Sequence, residues 1–263
     1  MGRRGIAPRA LNICALHDFP HSPRLMPMSA PPPVALITGA GSGIGRAAAL
    51  RLGASNYRVA LVGRTASKLE QTASEVDASA ETASFTCDIG DLEQCGPLVT
   101  QVRERFGRID ALLNVAGAAP LLPIAEITPE LIRSAVDTNL SGVMMLTAAA
   151  WPVMKAQGEG IIVNVSSLAS IDPFPGFAMY AASKCGLNMF TRCTADEGAA
   201  HGIQAVGIAP GAVETPMLRS IFDASKIPPS KTLSPDDVAA VICDCVTGAG
   251  SFEAGETIQF PSP

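Results

Sequence analysis

Histidine is nearly missing from this chain: there are 3 in 263 residues, and His17 and His21 both precede the first regular pattern. His201 is then the only histidine in the body of the protein, which leaves almost no material for a Ser-His-Asp triad or a histidine-rich zinc site. No metal is expected. Tyrosine is as scarce, with Tyr57 and Tyr180 alone. The 7 cysteines are an odd number scattered without metal-ligand spacing, and no segment looks like a cleaved secretory leader. A reducing compartment, the cytoplasm, is the expectation. Cys243 and Cys245 lie two apart on an expected helix and read as small buried apolar residues. The longest apolar runs are broken by Gly, Pro or Asn before the ~18 residues needed to cross a bilayer, so no membrane association is expected. Basic charge is also in deficit, with a net charge of -5. The first segment runs against that balance, carrying Arg3, Arg4, Arg9 and Arg24 against Asp18 alone. The remainder is therefore more acidic still, which argues against nucleic acid as a partner.

What is present is the balance of a compact enzyme, 48% hydrophobic and 16% charged. Residues 1–33 carry many Pro and Arg residues, lack any period and end in Ser29-Ala30-Pro31-Pro32-Pro33. They read as a disordered extension, with Met26 or Met28 as alternative starts. A mitochondrial transit peptide is the other reading, and His17-Asp18-Phe19-Pro20-His21 interrupts the amphipathic helix it would need. From Val34 onward, short β-branched runs alternate with longer helical patterns. Strands are expected at Val34–Thr38, Val59–Gly63, Ser84–Cys87, Ala111–Val115, Ile161–Ser166, Gln204–Ile208 and Thr257–Phe260. Helical spacing fills Asp91–Phe106, Pro129–Met154 and Ala178–Ala199, with Asp91 and Thr128 as starts. The expected fold is α/β: residues 34–263 form a single doubly wound domain with a seven-stranded parallel sheet, and ligands sit at the carboxyl ends of its strands.

The first strand runs into Thr38-Gly39-Ala40-Gly41-Ser42-Gly43-Ile44-Gly45 and then a helical segment. Strand, glycine turn and helix in that order aim backbone N–H groups and a helix N-terminus at a pyrophosphate. Gly39 would permit the tight turn, Gly43 close approach to phosphate, and Gly45 close packing of helix on strand. Farther on, Tyr180 and Lys184 stand four apart in an expected helix and share one face. A phenol with a pKa near ~10 becomes an acid/base at neutrality only if phenolate is stabilised by about 4 kcal/mol. A neighbouring ammonium can supply part of that.

These glycines, with Asn114-Val115-Ala116-Gly117, Asn139, Ser167 thirteen residues before Tyr180, Tyr180-Ala181-Ala182-Ser183-Lys184 and Pro210-Gly211 followed by Thr215, resemble the short-chain dehydrogenase/reductase family in order and interval. The resemblance runs from about Val34 to Phe260. Two departures are Val206, where many members carry Asn, and the lack of a C-terminal Gly-Gly. The resemblance implies a Rossmann-type domain and hydride exchange between a nicotinamide cofactor and a carbonyl or secondary alcohol. In that scheme Tyr180 moves the proton, Ser167 hydrogen-bonds the substrate oxygen, Lys184 holds the nicotinamide ribose, and Asn139 anchors a relay water. The implied cofactor contacts are Gly39, Ser42, Gly43, Ile44, Gly45, Arg64, Thr65, Asp88, Asn114, Ala116, Gly117, Tyr180, Lys184, Pro210, Gly211, Val213 and Thr215. Asp88 is equally readable as a residue that holds a turn or caps a helix.

Gly63 and Arg64 end the second strand where an NAD-selective enzyme would place an acidic residue, so NADP(H) is expected over NAD(H). Ser42 leaves the glycine loop without a second basic residue. The family's substrate-facing positions are mostly apolar here: Leu168, Ile171, Phe174, Phe177, Val213, Met217 and Leu218, with Leu218–Pro229 as a mobile lid. A small apolar ketone, aldehyde or secondary alcohol is therefore the expected partner. The other readings are a 3-oxoacyl thioester reductase of fatty-acid metabolism and a non-catalytic NADP-sensing binding protein. Met145 and Asp196 stand where carrier-protein reductases greet their acidic carrier with arginines, which counts against the first. Similar proteins form homodimers or homotetramers, and this chain is expected to do so too.

Overall fold

The computed structural model describes residues 31–263. The expected disordered extension and the alternative starts at Met26 and Met28 fall largely outside them. Ordered contacts begin just ahead of the first strand, because Arg58 donates from its backbone N to the carbonyl of Pro33 and from Nε to that of Pro32.

Seven parallel strands form one sheet: β1 Val34–Thr38, β2 Arg58–Gly63, β3 Thr82–Thr86, β4 Ala111–Asn114, β5 Gly160–Val165, β6 Ile203–Pro210 and β7 Thr257–Phe260, in the order β3-β2-β1-β4-β5-β6-β7. Every strand expected from the sequence is there, with ends displaced by a residue or two. The helices are α1 Gly43–Ala54, α2 Ala66–Glu75, α3 Leu92–Phe106, α4 Pro129–Val136, α5 Gly142–Gln157, α6 Ala178–Gly198, α7 Pro216–Ile221 and α8 Pro235–Thr247. The near-continuous apolar runs of the strands follow from helices covering both faces. Ala35 and Ile37 of β1 pack in the core under α1 and α8, while Val34 and Leu36 belong to the core under α3 and α5. Val206 is fully buried in the first of these layers.

Local chemistry explains where helices start. Asp91 accepts from the backbone N of Glu93, Thr128 from that of Leu131, and Ser234 forms a reciprocal capping box with Asp237. One helical run carries an added feature. The run Pro129–Met154 is helical throughout, as α4 and α5 joined by a π-helical stretch, Asp137–Ser141. The widened turn lets the chain take one extra residue without leaving the helix axis, and it carries Asn139. The seven strands run the same way, and chain order reverses between β1 and β4, so the crevice opens at their carboxyl ends. Among the described residues no helix is long and apolar enough to cross a membrane.

Candidate active site

A cavity of about 510 Å³ follows the carboxyl ends of the strands, and it brings together most of the residues that the sequence singles out. Its lining passes from Arg64, Thr65 and Asp88 after β2 and β3, through the glycine turn after β1 and Ala116 and Gly117 after β4, to Ser167 after β5 and Pro210, Gly211, Val213 and Thr215 at and after the end of β6. From β2 to β5 is three strand spacings, on the order of 14 Å. That length suits a dinucleotide lying across the sheet.

Two glycines in the turn are dictated by space. Gly39 has φ +69, and a Cβ there would sit 3.0 Å from the backbone N and Cα of Ala116. At Gly45 a Cβ would collide with the carbonyl of Gly39. Gly45 therefore closes the turn on itself, a tighter reason than the expected packing of helix on strand. The turn is held to β4 by Thr38, whose Oγ1 donates to the carbonyl of Leu113 and accepts from the backbone N of Val115 and Ala116 at 3.0 and 3.1 Å. Ser42, the N-cap of α1, makes no side-chain capping bond. The backbone donors of this helix start are the material of an anion cradle.

At the β2 end, Arg64 is exposed and lines the cavity. Lys68 in the first turn of α2 lines it as well, and a Cβ on Gly41 would lie 2.9 Å from the Cβ of Lys68. This second cation was missed because it sits outside the glycine loop. The signal available was its spacing of four from Arg64 at the start of a helix, which puts both side chains near one edge. Asp88 lines the cavity while its Oδ1 accepts from the backbone N of Gly90 at 3.0 Å. It holds a turn, and the helix cap is Asp91.

At the other end, Tyr180 and Lys184 rise from α6 beside Ser167. The Nζ of Lys184 is buried, donates to the carbonyl of Val165 at 2.8 Å and lies 6.0 Å from the Tyr180 ring centre. Burial pulls the Lys184 ammonium down to about 8. Burial pushes the Tyr180 phenol above its ordinary 10.0, and its hydrogen bond with Ser167 pulls partly the other way. In the protein itself desolvation sets the direction, with the lysine engaged by a main-chain carbonyl. Ser166 is turned into a separate network, donating to the carbonyl of Lys184 and to Asn188.

Three candidates lie outside the cavity wall. The amide of Asn114 is buried in β4 and donates from Nδ2 to Asn164 Oδ1 at 2.9 Å, and Asn164 donates in turn to Thr191. It braces sheet to helix rather than touching the cavity. Asn139 bonds through both amide atoms to the backbone of Ala118, at 2.8 Å each, and donates to Ser183 Oγ at 3.0 Å. It thereby pins the loop after β4 against α6. Ile171 is exposed and not among the lining residues, whereas Asp172, which carried no expectation, is, as are Ile221, Phe222 and Ile227 of the expected lid segment. Leu218–Pro229 is not free chain. The guanidinium of Arg219 pairs with the carboxylate of Glu214 and donates from one nitrogen to the carbonyls of Phe222 and Ile227 at 3.3 and 2.9 Å. Thr232 Oγ1 donates to the same carboxylate. Cys243 and Cys245 are buried, their thiols pushed up to about 12 by burial.

The short chain dehydrogenase family model matches residues 33–226. The acetoacetyl-CoA reductase of Shinella zoogloeoides is 32% identical over 233 residues, 86% of this chain and 95% of the relative. The levodione reductase of Leifsonia aquatica is 37% identical over 191 residues, 71% of this chain and 72% of the relative. Among solved structures, the 3-ketoacyl-(acyl-carrier-protein) reductase from Brucella melitensis complexed with NADH superposes with a TM-score of 0.81 at 30% identity, covering 87% of this chain and 96% of that one. A variant actinorhodin polyketide ketoreductase with NADPH gives 0.79 at 31% identity, covering 87% and 95%.

Proposed function

Because this chain belongs to the short chain dehydrogenase family and is an NAD(P)-dependent oxidoreductase, we propose that it exchanges hydride between NADP(H) and a small, apolar carbonyl or secondary alcohol, with Tyr180, Ser167 and Lys184 as the reacting group. The observation that carries this reading is one cavity with Ser167, Tyr180 and Lys184 at one end and a glycine cradle flanked by Arg64 and Lys68 at the other.

The residues fit the cofactor. Gly39 leaves no room for a side chain against Ala116, nor Gly45 for one against Gly39, which keeps the turn tight. Ser42, Gly43 and Ile44 begin α1 and offer backbone donors, and Ala116, Gly117, Pro210, Gly211, Val213 and Thr215 wall the remaining length. The bound nicotinamide supplies or accepts the hydride. Ser167 hydroxyl holds the substrate oxygen, and Tyr180 Oη donates its proton to that oxygen in reduction and takes one back in oxidation. The Lys184 ammonium lies 6.0 Å from the centre of the Tyr180 ring. Its charge, added to that of an oxidised cofactor, opposes the effect of burial on the phenol.

The preference for NADP(H) rests on charge. Arg64 offers a planar fork to a ribose phosphate, with the Thr65 hydroxyl and the Lys68 ammonium beside it, and Gly63 presents no carboxylate to a ribose hydroxyl. The thioester alternative draws on the names of relatives. Against it, Met145 is 41% exposed and Asp196 is exposed where a carrier's acid groups would need arginines. Exposed Met144 and Met145 on α5 and Met189 on α6 support a homo-oligomer. The test is nicotinamide absorbance followed with a panel of ketones and alcohols and both cofactors. Turnover with NADPH above NADH is the expected result, and cofactor binding without turnover of any carbonyl or alcohol would turn the reading toward a nucleotide sensor.

A further inference from the structure

The substrate end of the cavity is walled by rings in a chain that holds only 9 phenylalanines. Phe177 is buried at the start of α6 and lies 5.2 Å from Tyr180, centre to centre. Phe174, 4.4 Å from Phe177, comes from the loop before that helix, and Phe222, 6.0 Å from Phe174 and 6.2 Å from Phe177, ends α7. A continuous path of ring contacts thus leads from the lid to the proton-transfer phenol. Phe177 fills the core, but Phe174 is 44% exposed while lining the cavity. Its own chain leaves that face uncovered.

The exposed charge lining this end is of one sign. Asp172, two residues before Phe174, lines the cavity and is exposed. Among the described residues the one cation lining this end, Lys184, is buried and engaged by the carbonyl of Val165, and Arg219 and Lys226 do not line the cavity.

Resting on the reductase reading above, we propose that the substrate is an aryl ketone, or the corresponding secondary aryl alcohol, whose flat ring lies against the open faces of Phe174 and Phe222 and which carries no carboxylate. Offset or edge contact with an aromatic ring is favoured over contact with a saturated ring of equal size, because the ring quadrupoles attract beyond simple burial. Asp172 repels an anionic substituent across the cavity mouth and tolerates a neutral or cationic one.

The test uses the full chain with saturating NADPH and four ketones: phenyl methyl ketone, cyclohexyl methyl ketone, and 4-carboxy- and 4-aminomethyl-substituted phenyl methyl ketone. Wild type should prefer the phenyl over the cyclohexyl ketone in kcat/KM by roughly 10-fold. That ratio should fall toward unity in Phe174→Leu and in Phe222→Leu. In Asp172→Asn the ratio of 4-carboxy to 4-aminomethyl turnover should rise about 5-fold, a screened surface effect. Equal use of phenyl and cyclohexyl ketones by wild type overturns the proposal without any variant and leaves the reductase reading intact. A phenyl preference untouched by both phenylalanine substitutions overturns it as well. If no ketone or alcohol of any kind is turned over, both readings fall.

Discussion

The buried ammonium of Lys184 is held 2.8 Å from the main-chain carbonyl of Val165, at the end of the interior strand β5. The bond fixes the lysine beside Tyr180 and leaves a charge in a desolvated place. Its pKa falls from an ordinary 10.5 to about 8, which links stability to pH. Below pH 8 the folded and unfolded states both hold the proton, and the folded state carries the full cost of burying it. Above pH 8 the folded state releases the proton while the unfolded chain keeps it up to about 10.5. Wild-type stability should therefore rise relative to Lys184→Met between pH 8 and 10, by up to roughly 3 kcal/mol. Denaturant melts of the cofactor-free pair at pH 7, 8.5 and 10 measure it, and a pH-independent difference would contradict the assignment.

Tyr180→Phe keeps the ring that packs on Phe177 and removes only the hydroxyl. Turnover should drop at least ~100-fold while cofactor affinity changes little. Steady-state rates paired with cofactor fluorescence titration separate the two, and activity above a tenth of wild type would exclude the proton-transfer role.

Arg64→Ala and Lys68→Ala should each lower the NADPH-over-NADH ratio of kcat/KM. Arg64 makes the larger difference, roughly 10-fold to 100-fold, because a bidentate charged contact is worth ~1.5 to 3 kcal/mol and a single ammonium less. The double variant should approach equal use. Should wild type already use both cofactors equally, the charge argument fails at the outset.

Arg219 bonds at once to Glu214 and to the carbonyls of Phe222 and Ile227. Replacing it with Met keeps the stem and frees the lid, so the carbonyl substrate's KM should rise several-fold with cofactor affinity nearly unchanged. Glu214→Gln should show a weaker form of the same effect. A fall in cofactor affinity instead would place the lesion at the nucleotide end.

Much of this molecule was legible in its sequence. Strand runs, the glycine turn and the caps at Asp91 and Thr128 depend on residues within a few positions of one another, and local sterics and hydrogen bonding decide them. The π-helical turn at Asn139 was not legible, since a helix that absorbs one extra residue keeps a helical pattern on both sides of it. Nor was the destination of Asn114. Strand alternation offers two faces, and only the neighbouring strand, which brings Asn164 opposite it, makes the inward face polar enough to hold an amide.

The sequence by itself determined the family, the succession of strands and helices along the chain and the residues able to do the chemistry, because each is carried by short motifs at set intervals. Tertiary structure alone decided what surrounds them. Packing of α2 sets Lys68 against the glycine turn at Gly41, and the return of the chain through α7 brings Phe222 to Phe174 and Arg219 to Glu214. Burial, which no motif records, turned the Tyr180 phenol upward and the Lys184 ammonium downward. Desolvation depends on everything packed around a group, and that packing exists only once the distant segments have met.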